Sequence, residues 1–406
     1  MGRPLDIMML AGEPSGDALG GRLMAALEER SAGAVSFRGV GGERMLAQGL
    51  DDLFPMAELS VMGLVEVLPR AQQLMRRVVD TVHAVRAARP DALVTIDAPG
   101  FNFRVGRRLA RSGIPLIHYV APSVWAWRSG RARTIARFLD HLLALLPFEP
   151  PYFEKVGLPC TFVGHPAVEE GQNADGPAFR ARHGIAPGAP LLALLPGSRR
   201  GEIERLLTPF AEAAARLAAR TPELRVVVPT LPTLAASVER RLADSGLRGR
   251  GLNAIVVWGG ADKADALAAS DAALAASGTV TLELAMAEVP MVVAYRMNPV
   301  TIAVVRRLVS VDHACLVNLI VNRAVVPEFL QEACTPDRLE AAVARILVDR
   351  SARDVQIDAA REVRRRLFIA DMAPSHRAAQ VVLDVLGRRE TRLASTSAGS
   401  DKGRQR

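Results

Sequence analysis

Short apolar runs alternate with amphipathic helical stretches along almost the whole sequence, and no other feature limits the fold as much. A parallel strand covered on both faces reads as a continuous apolar run, and the chain must cross back over the sheet before it can lay down the next one. Sandwiches and helix bundles carry neither pattern. Leu5–Ala11, Val35–Gly39, Leu93–Ile96, Leu116–Val120 and His141–Leu146 are expected as buried strands, most of them followed by a turn bearing Gly, Pro or Asp. His165–Pro190, rich in Gly, Pro, Asn and Asp, is expected as an interdomain linker with one short helix. The pattern then restarts with Leu191–Leu195, Arg225–Val228, Ala254–Val257, Ala272–Ala275 and Met291–Ala294, separated by helices such as Glu202–Arg220 and Val280–Ala287. The expected class is therefore α/β: two Rossmann-like doubly wound domains, 1–166 and 167–350, facing across a cleft. Beyond Pro327 the pattern turns helical, through Pro336–Val348, Ala359–Phe368 and Ala373–Leu386. The helices of 351–388 are expected to pack back on the N-terminal domain, and 389–406 to form a disordered tail.

With 406 residues, half of them apolar and 23% charged, the chain has material for two such cores and too little polarity for a disordered protein. The net charge is +8, yet Lys155, Lys263 and Lys402 are the only lysines among the basic residues. This balance suits phosphorylated ligands or an anionic membrane face. The arginines are spread rather than interleaved with aromatics, which argues against a nucleic-acid partner. Cys160, Cys315 and Cys334 are unevenly spaced and form no CxxC, so neither a disulfide scaffold nor a Cys-rich zinc site is expected, and a reducing cytoplasm fits best. No stretch approaches about 18 uninterrupted apolar residues, the length of a membrane-spanning helix.

Open parallel sheets bind ligands outside the carboxyl ends of their strands, so the turns there carry the candidate chemistry. AGEPSGD, Ala11 to Asp17, follows the first strand. Gly12 and Gly16 allow close backbone approach, while Ser15 and Asp17 can cap the next helix or face a ligand. Neither this turn nor Gly39-Val40-Gly41-Gly42 has G-x-G-x-x-G spacing, which disfavours a nicotinamide enzyme. In TIDAPGFN, Asp97 closes an apolar strand. A partly desolvated carboxylate there can accept a proton from a hydroxyl, or it can simply make an Asx turn. Trp125 and Trp127, two of only three tryptophans, follow the next strand and suit stacking on a sugar, an apolar slot for a lipid chain, or plugging the floor of the sheet.

In the second half, Gly197, Ser198 and Arg199 open a helix whose N–H groups favour anions, with Arg199 able to grip a phosphate. Ser277, Gly278 and Thr279 repeat the arrangement, and Glu283 follows where a carboxylate can take ribose hydroxyls. Each turn alone is no more than a capped helix; two in one half favour a nucleoside diphosphate. There is no D-x-D, H-x-x-x-H or H-x-E, so neither a metal nor a cofactor is expected. Two stretches could touch lipid. Ser60–Val79 carries Arg70, Arg76 and Arg77, and Val300–Val309 carries Arg306 and Arg307, although packing on the chain's own sheet is the commoner use of such helices. Pro69 is expected to break the first, leaving Val61–Leu68, with Val61, Met62 and Leu64, as an apolar segment in need of cover.

The blocks AGEPSGDALGGRL, GVGGERMLAQGL, VMGLVEVLPR, DAPGFN, YVAPSVWAWR, LPFE, VGHP, LLPGSRRGEI, SGTVTLE, PMVVAYRM and PEFLQE, in this order, resemble the lipid-A-disaccharide synthases, glycosyltransferases of the two-Rossmann-domain GT-B type. Only the linker, Ala236–Gly251 and the tail carry no match. The resemblance implies inverting, metal-independent transfer of 2,3-diacylglucosamine from its UDP conjugate to the 6-hydroxyl of 2,3-diacylglucosamine 1-phosphate. It gives Asp97 the place of an essential aspartate and makes Glu13, Arg199 and Asn318 functional positions. Arg296 and Gln331, in PMVVAYRM and PEFLQE, join the UDP side; Ser15, Gly16, Asp17 and the tryptophans fall on the acceptor side. Two departures stand out: the usual D-A-P-D-F-N has Gly100, and the usual L-P-N reads Leu316-Val317-Asn318. Gly100 removes a second carboxylate, which puts any paired-acid mechanism in doubt and leaves Asp97. The implied place is the inner face of the cytoplasmic membrane, bound peripherally to its anionic surface, with a homodimer left open. A UDP-sugar 2-epimerase on the same fold and a non-catalytic membrane-surface binder are the alternatives.

Overall fold

The computed structural model describes residues 3–59, 64–125, 130–169, 174–245, 252–297, 312–369 and 372–401, with only the backbone described at 64–71 and 390–401. The chain divides into two compact units, Met1–Pro166 with Ile369–Arg406, and Ala167–Phe368.

The first unit is built on seven parallel strands: β1 (Leu5–Ala11), β2 (Val35–Val40), β3 (Asp51–Asp52), β4 (Ala92–Ile96), β5 (Leu116–Tyr119), β6 (His141–Ala144) and β7 (Cys160–Phe162). Their order is β3-β2-β1-β4-β5-β6-β7, so the winding reverses between β1 and β4. Alternate side chains of these strands feed opposite faces. Ile7, Met9 and Ala11 pack with Leu23, Met24 and Leu27, while Met8 and Leu10 pack with Val78, Val82, Val85 and Val105. Burying each large apolar side chain contributes about 1.5–3 kcal/mol.

In the second unit β8 (Leu191–Leu195), β9 (Arg225–Thr230), β10 (Ala254–Trp258), β11 (Ala272–Ala276), β12 (Met291–Tyr295) and β13 (Glu328–Leu330) form another parallel sheet, ordered β10-β9-β8-β11-β12-β13. Its winding reverses between β8 and β11, whose ends run into Gly197–Arg199 and Ser277–Thr279. Both sheets are the doubly wound α/β architecture that the alternating pattern predicts.

Four expectations need correction. The segment predicted as a linker is folded into the second unit from Ala167. Asp175 caps the helix Gly176–Arg182 by accepting from the Ala178 N–H at 2.8 Å, and Arg180 is tied to Asp271 at 2.7 Å. Turn-rich composition hid these long-range ties. Of the C-terminal helices, Arg350–Leu367 stays with the second unit, where Ala359, Val363 and Leu367 are buried and Gln356 accepts the Met291 N–H at 2.8 Å. Only the last helix joins the first unit, setting Ala378, Ala379 and Val382 into the core beside Leu23 and Leu27. That helix runs from Pro374 to Asp401, far past Leu386, because the Arg, Glu, Leu and Ala beyond it are strong helix formers even without an apolar stripe; 402–406 lie outside the described residues. Finally, the helix Leu64–Ala88 runs through Pro69, which removes one backbone hydrogen bond near the helix start while the long remainder holds. Val61 and Met62, the side chain of Leu64 and the stretch 298–311 lie outside the described residues.

Candidate active site

In the first unit the reversal of winding brings the ends of β1 and β4 side by side. Asp97 has φ 48° and Ala98 φ 43°, two consecutive non-glycine residues in the left-handed region. Such residues cost about 1–2 kcal/mol each, so the surroundings must hold them. Asn102 does so: its Nδ2 donates to the carbonyls of Asp97 at 2.8 Å and Ile96 at 3.1 Å, while the Asp97 N–H donates to Tyr119 at 2.9 Å. The chain therefore turns sharply at the strand end and leaves the Asp97 carboxylate half-exposed. Ser15 Oγ donates to Asp97 Oδ2 at 3.4 Å. Gly12 is glycine because a Cβ there would lie 2.8 Å from the Cβ of Ala98. Glu13, at the N-cap position of the helix Pro14–Arg30, is half-buried in the same turn.

Other acceptor-side candidates prove structural. Asp17 is buried, and its carboxylate accepts from the N–H groups of Gly42 at 2.8 Å, Met45 at 3.0 Å and Arg44 at 3.1 Å, so it caps the helix Glu43–Ala47 instead of facing a ligand. Gly16 is buried where that first helix passes β4; a Cβ on it would sit 3.4 Å from the Ile96 carbonyl. Trp125 donates its indole N–H to Glu149 at 3.2 Å and meets Phe148 edge-to-face at 5.2 Å, an anchored ring more than an open stacking face. Glu149 is itself buried and also accepts from the Leu145 and Leu146 N–H groups, and burial pushes its pKa up to about 7. Trp127 lies outside the described residues.

The second unit holds a cavity of about 250 Å³ at its own reversal of winding, lined by Gly197, Ser198, Arg199, Ser277, Gly278, Thr279 and Glu283 among others. The sequence suggested free N–H groups at Ser198, but Glu202 occupies them. Its Oε2 accepts from Ser198 at 3.1 Å and Arg199 at 3.3 Å, and its Oε1 takes the Tyr295 hydroxyl at 3.0 Å. Burial, then Glu202, push that tyrosine up to about 12 and keep it a neutral donor. Gly197 has φ 119°, and a Cβ on it would lie 2.4 Å from Glu202 Oε2, so glycine is required twice over. The Arg199 side chain is 65% exposed and only loosely tied to Glu202 at 3.4 Å, which leaves its fork available to an anion. At the second turn the N–H groups of Gly278, Thr279 and Val280 have no protein acceptor among the described residues. Lys263, unforeseen from the sequence, pairs with Glu283 on the cavity wall.

Asn318 is not placed for chemistry. Fully buried, it donates to the Val326 carbonyl and Glu328 and accepts from the N–H groups of Val325 and Val326, which spends its whole hydrogen-bonding capacity. Glu328 also accepts from Ala314 N–H at 2.8 Å, and the Ala314 carbonyl accepts from Ser277 Oγ at 2.7 Å, so this network braces the Ser277 turn. Arg296 and Gln331 stand outside the cavity lining: Arg296 donates to the Cys334 carbonyl, and Gln331 accepts from the Met297 N–H at 3.2 Å. Among the described residues no three His, Cys, Asp or Glu side chains converge as a metal-ligand group.

A family model described as lipid-A-disaccharide synthetase matches residues 7–382. A lipid-A-disaccharide synthase from Rhodospirillum centenum is 56% identical over the whole of both chains. The chain belongs to the lipid-A-disaccharide synthase family. Further members of the family match from Paramagnetospirillum magneticum, at 52% identity with 94% of this chain and 97% of that one covered, and from Myxococcus xanthus, at 41% with 95% and 99% covered. Among solved structures, the UDP-GlcNAc 2-epimerase of Neisseria meningitidis matches with a TM-score of 0.61 at 10% identity, covering 95% and 99% of the two chains. The calicheamicin glycosyltransferase matches with 0.58 at 19%, covering 95% and 99%. These likenesses carry the GT-B fold, and membership of the synthase family carries the activity: the chain is a glycosyltransferase of lipid A biosynthesis that takes a UDP-sugar donor and a glycosyl acceptor. The epimerase alternative is left with a distant likeness of fold.

Proposed function

We propose that the chain joins UDP-2,3-diacylglucosamine to 2,3-diacylglucosamine 1-phosphate by a single inverting displacement, with Asp97 as the general base. The observation that carries this reading is the half-exposed Asp97 carboxylate, held in a strained turn at the reversal of winding of the first sheet. Inversion needs a base on the face of the sugar opposite the leaving diphosphate, and a carboxylate fixed by its backbone can take the proton of the 6-hydroxyl as the new bond forms. Glu13 and Ser15 share the turn that borders Asp97 and would orient the acceptor. On the donor side Arg199 and the amides of Gly278 and Thr279 suit the diphosphate, and their charge complementarity grows as UDP leaves. Glu283, steadied by Lys263, suits the ribose. Arg296, Gln331 and Asn318 act at a remove, by shaping the segments around that cavity. UDP release that depends strictly on the acceptor glycolipid tests the pairing of substrates; release at the same rate without acceptor contradicts it.

Arg199→Ala is expected to weaken UDP binding by about tenfold or more, because one charge-assisted contact to phosphate is lost. Calorimetry reads this directly, and unchanged affinity reduces Arg199 to a helix cap.

Both proposed substrates carry acyl chains, and among the described residues no helix is long and apolar enough to cross a membrane. We infer a peripheral attachment to the anionic cytoplasmic leaflet through Val61, Met62 and Leu64, with Arg70 and Arg76 nearby in sequence; Arg77, also expected there, is instead held by Glu58 at 2.7 Å. Replacing the three apolar residues with Ser should release the chain from anionic vesicles and cost more activity on vesicle-borne substrate than on detergent-dispersed substrate. Cosedimentation equal to the wild type would make the segment internal packing.

A further inference from the structure

The first unit contains a second cavity, of about 660 Å³, that the reaction set out above does not use. It opens between the helices Pro99–Leu109 and Gly130–Ile135, and its wall begins at Pro99, two residues after Asp97. Arg104, Arg107 and Arg131 line it over a floor of Phe103, Ile135 and Phe138, and among the described residues no carboxylate lines it. Arg104 and Arg107, one turn apart on the same helix, repel each other unless an anion joins them. Arg107 has no carboxylate partner among the described residues. Arg104 donates to the carbonyl of Gly100, where the chain presents no side chain: a Cβ there would lie 3.8 Å from Arg104 Nη1. Arg131 stacks over the Phe103 ring at 5.4 Å, which fixes its fork at the cavity wall.

We propose that this cavity receives the phosphate monoester of the acceptor glycolipid, with Arg104, Arg107 and Arg131 on the phosphate and the phenylalanine floor against the hydrocarbon nearest the sugar. A doubly charged phosphate with three acceptor oxygens matches several planar forks better than any neutral group does. Anchoring the phosphate at one end of the sugar presents the hydroxyl at the other end to Asp97, and this converts binding energy into orientation. The proposal rests on the reading that the first unit holds the acceptor. A phospholipid headgroup has the same chemistry, and the test separates the two.

The experiment compares the wild type with Arg104→Gln/Arg107→Gln and with Arg131→Gln in neutral detergent, using acceptor with and without its 1-phosphate. Arg104 and Arg107 are exposed helix positions, so the double variant should melt like the wild type. The expected result is an acceptor KM raised about tenfold per lost phosphate contact, an unchanged donor KM, and loss of the wild type's preference for the phosphorylated acceptor. Variants that keep both the acceptor KM and that preference overturn the proposal. So do variants that keep the acceptor KM while losing cosedimentation with phosphatidylglycerol vesicles, since the cavity would then serve a headgroup. Calorimetric binding of the phosphorylated acceptor without donor needs no turnover. An inert wild type that binds it through these arginines faults the transferase reading alone, whereas an active wild type whose variants bind equally well faults this proposal alone.

Discussion

Asp97→Asn should fold, bind UDP as the wild type does, and turn over about 10²–10⁴-fold more slowly, the usual worth of general-base assistance. The amide keeps the shape of the carboxylate and can still accept from Ser15 Oγ, so the strained turn held by Asn102 has no reason to relax. What it loses is a group able to take the proton of the attacking hydroxyl. Single-turnover transfer with saturating donor reads the chemical step, and a rate within threefold of the wild type removes Asp97 from the mechanism.

Glu149→Ala should produce the largest loss of stability, about 3–6 kcal/mol, by leaving the N–H groups of Trp125, Leu145 and Leu146 without their acceptor in a buried place. A shifted urea midpoint measures it, and a loss below 1 kcal/mol would mean that water replaces the carboxylate. Glu149→Gln adds a pH signature. Burial raises this carboxyl to about 7 from an ordinary 4.5, against the pull of its N–H partners, so the folded chain holds the proton more tightly than the unfolded chain. Its contribution is therefore most favourable below about pH 4.5, falls by on the order of 3 kcal/mol as the pH rises to about 7, and is flat above. His141 and His165, pushed down to about 4 by burial, and His118, pushed down to about 3, work in the opposite direction over much of the same window. The difference between wild type and Glu149→Gln thus carries the test: it should slope between pH 4.5 and 7, and a flat difference assigns the carboxyl an ordinary pKa.

The strands were legible because a buried parallel strand is dominated by apolar side chains, wholly so at β8 and with a single polar residue each, Asp6 and Thr95, at β1 and β4. Strands β3, β7 and β13, of two or three residues, are too short for any pattern. At the candidate site, the strand-end turn at Asp97 was legible for the opposite reason, a lone carboxylate ending an apolar run. Asp17 and Asn318 looked just as chemical, yet each spends its polar atoms on backbone groups distant in sequence, and no local pattern says which donors a side chain will find. Glu202 illustrates the same limit: three residues after Arg199 it could be seen as a capping carboxylate, but its claim on the N–H groups of Ser198 and Arg199 became visible only in three dimensions. Lys263 gave no local signal beyond its rarity among the basic residues. The three-arginine cavity escaped notice because Arg104 and Arg131 belong to different helices that only the sheet brings together.

Incubating the purified chain with UDP-2,3-diacylglucosamine and 2,3-diacylglucosamine 1-phosphate, then analysing the product by mass spectrometry and proton NMR, tests the central claim most directly. The account predicts one UDP for each disaccharide 1-phosphate, joined to the 6-hydroxyl in the β configuration. An α-linked product, or a donor epimerised at C2 with no disaccharide formed, would contradict it.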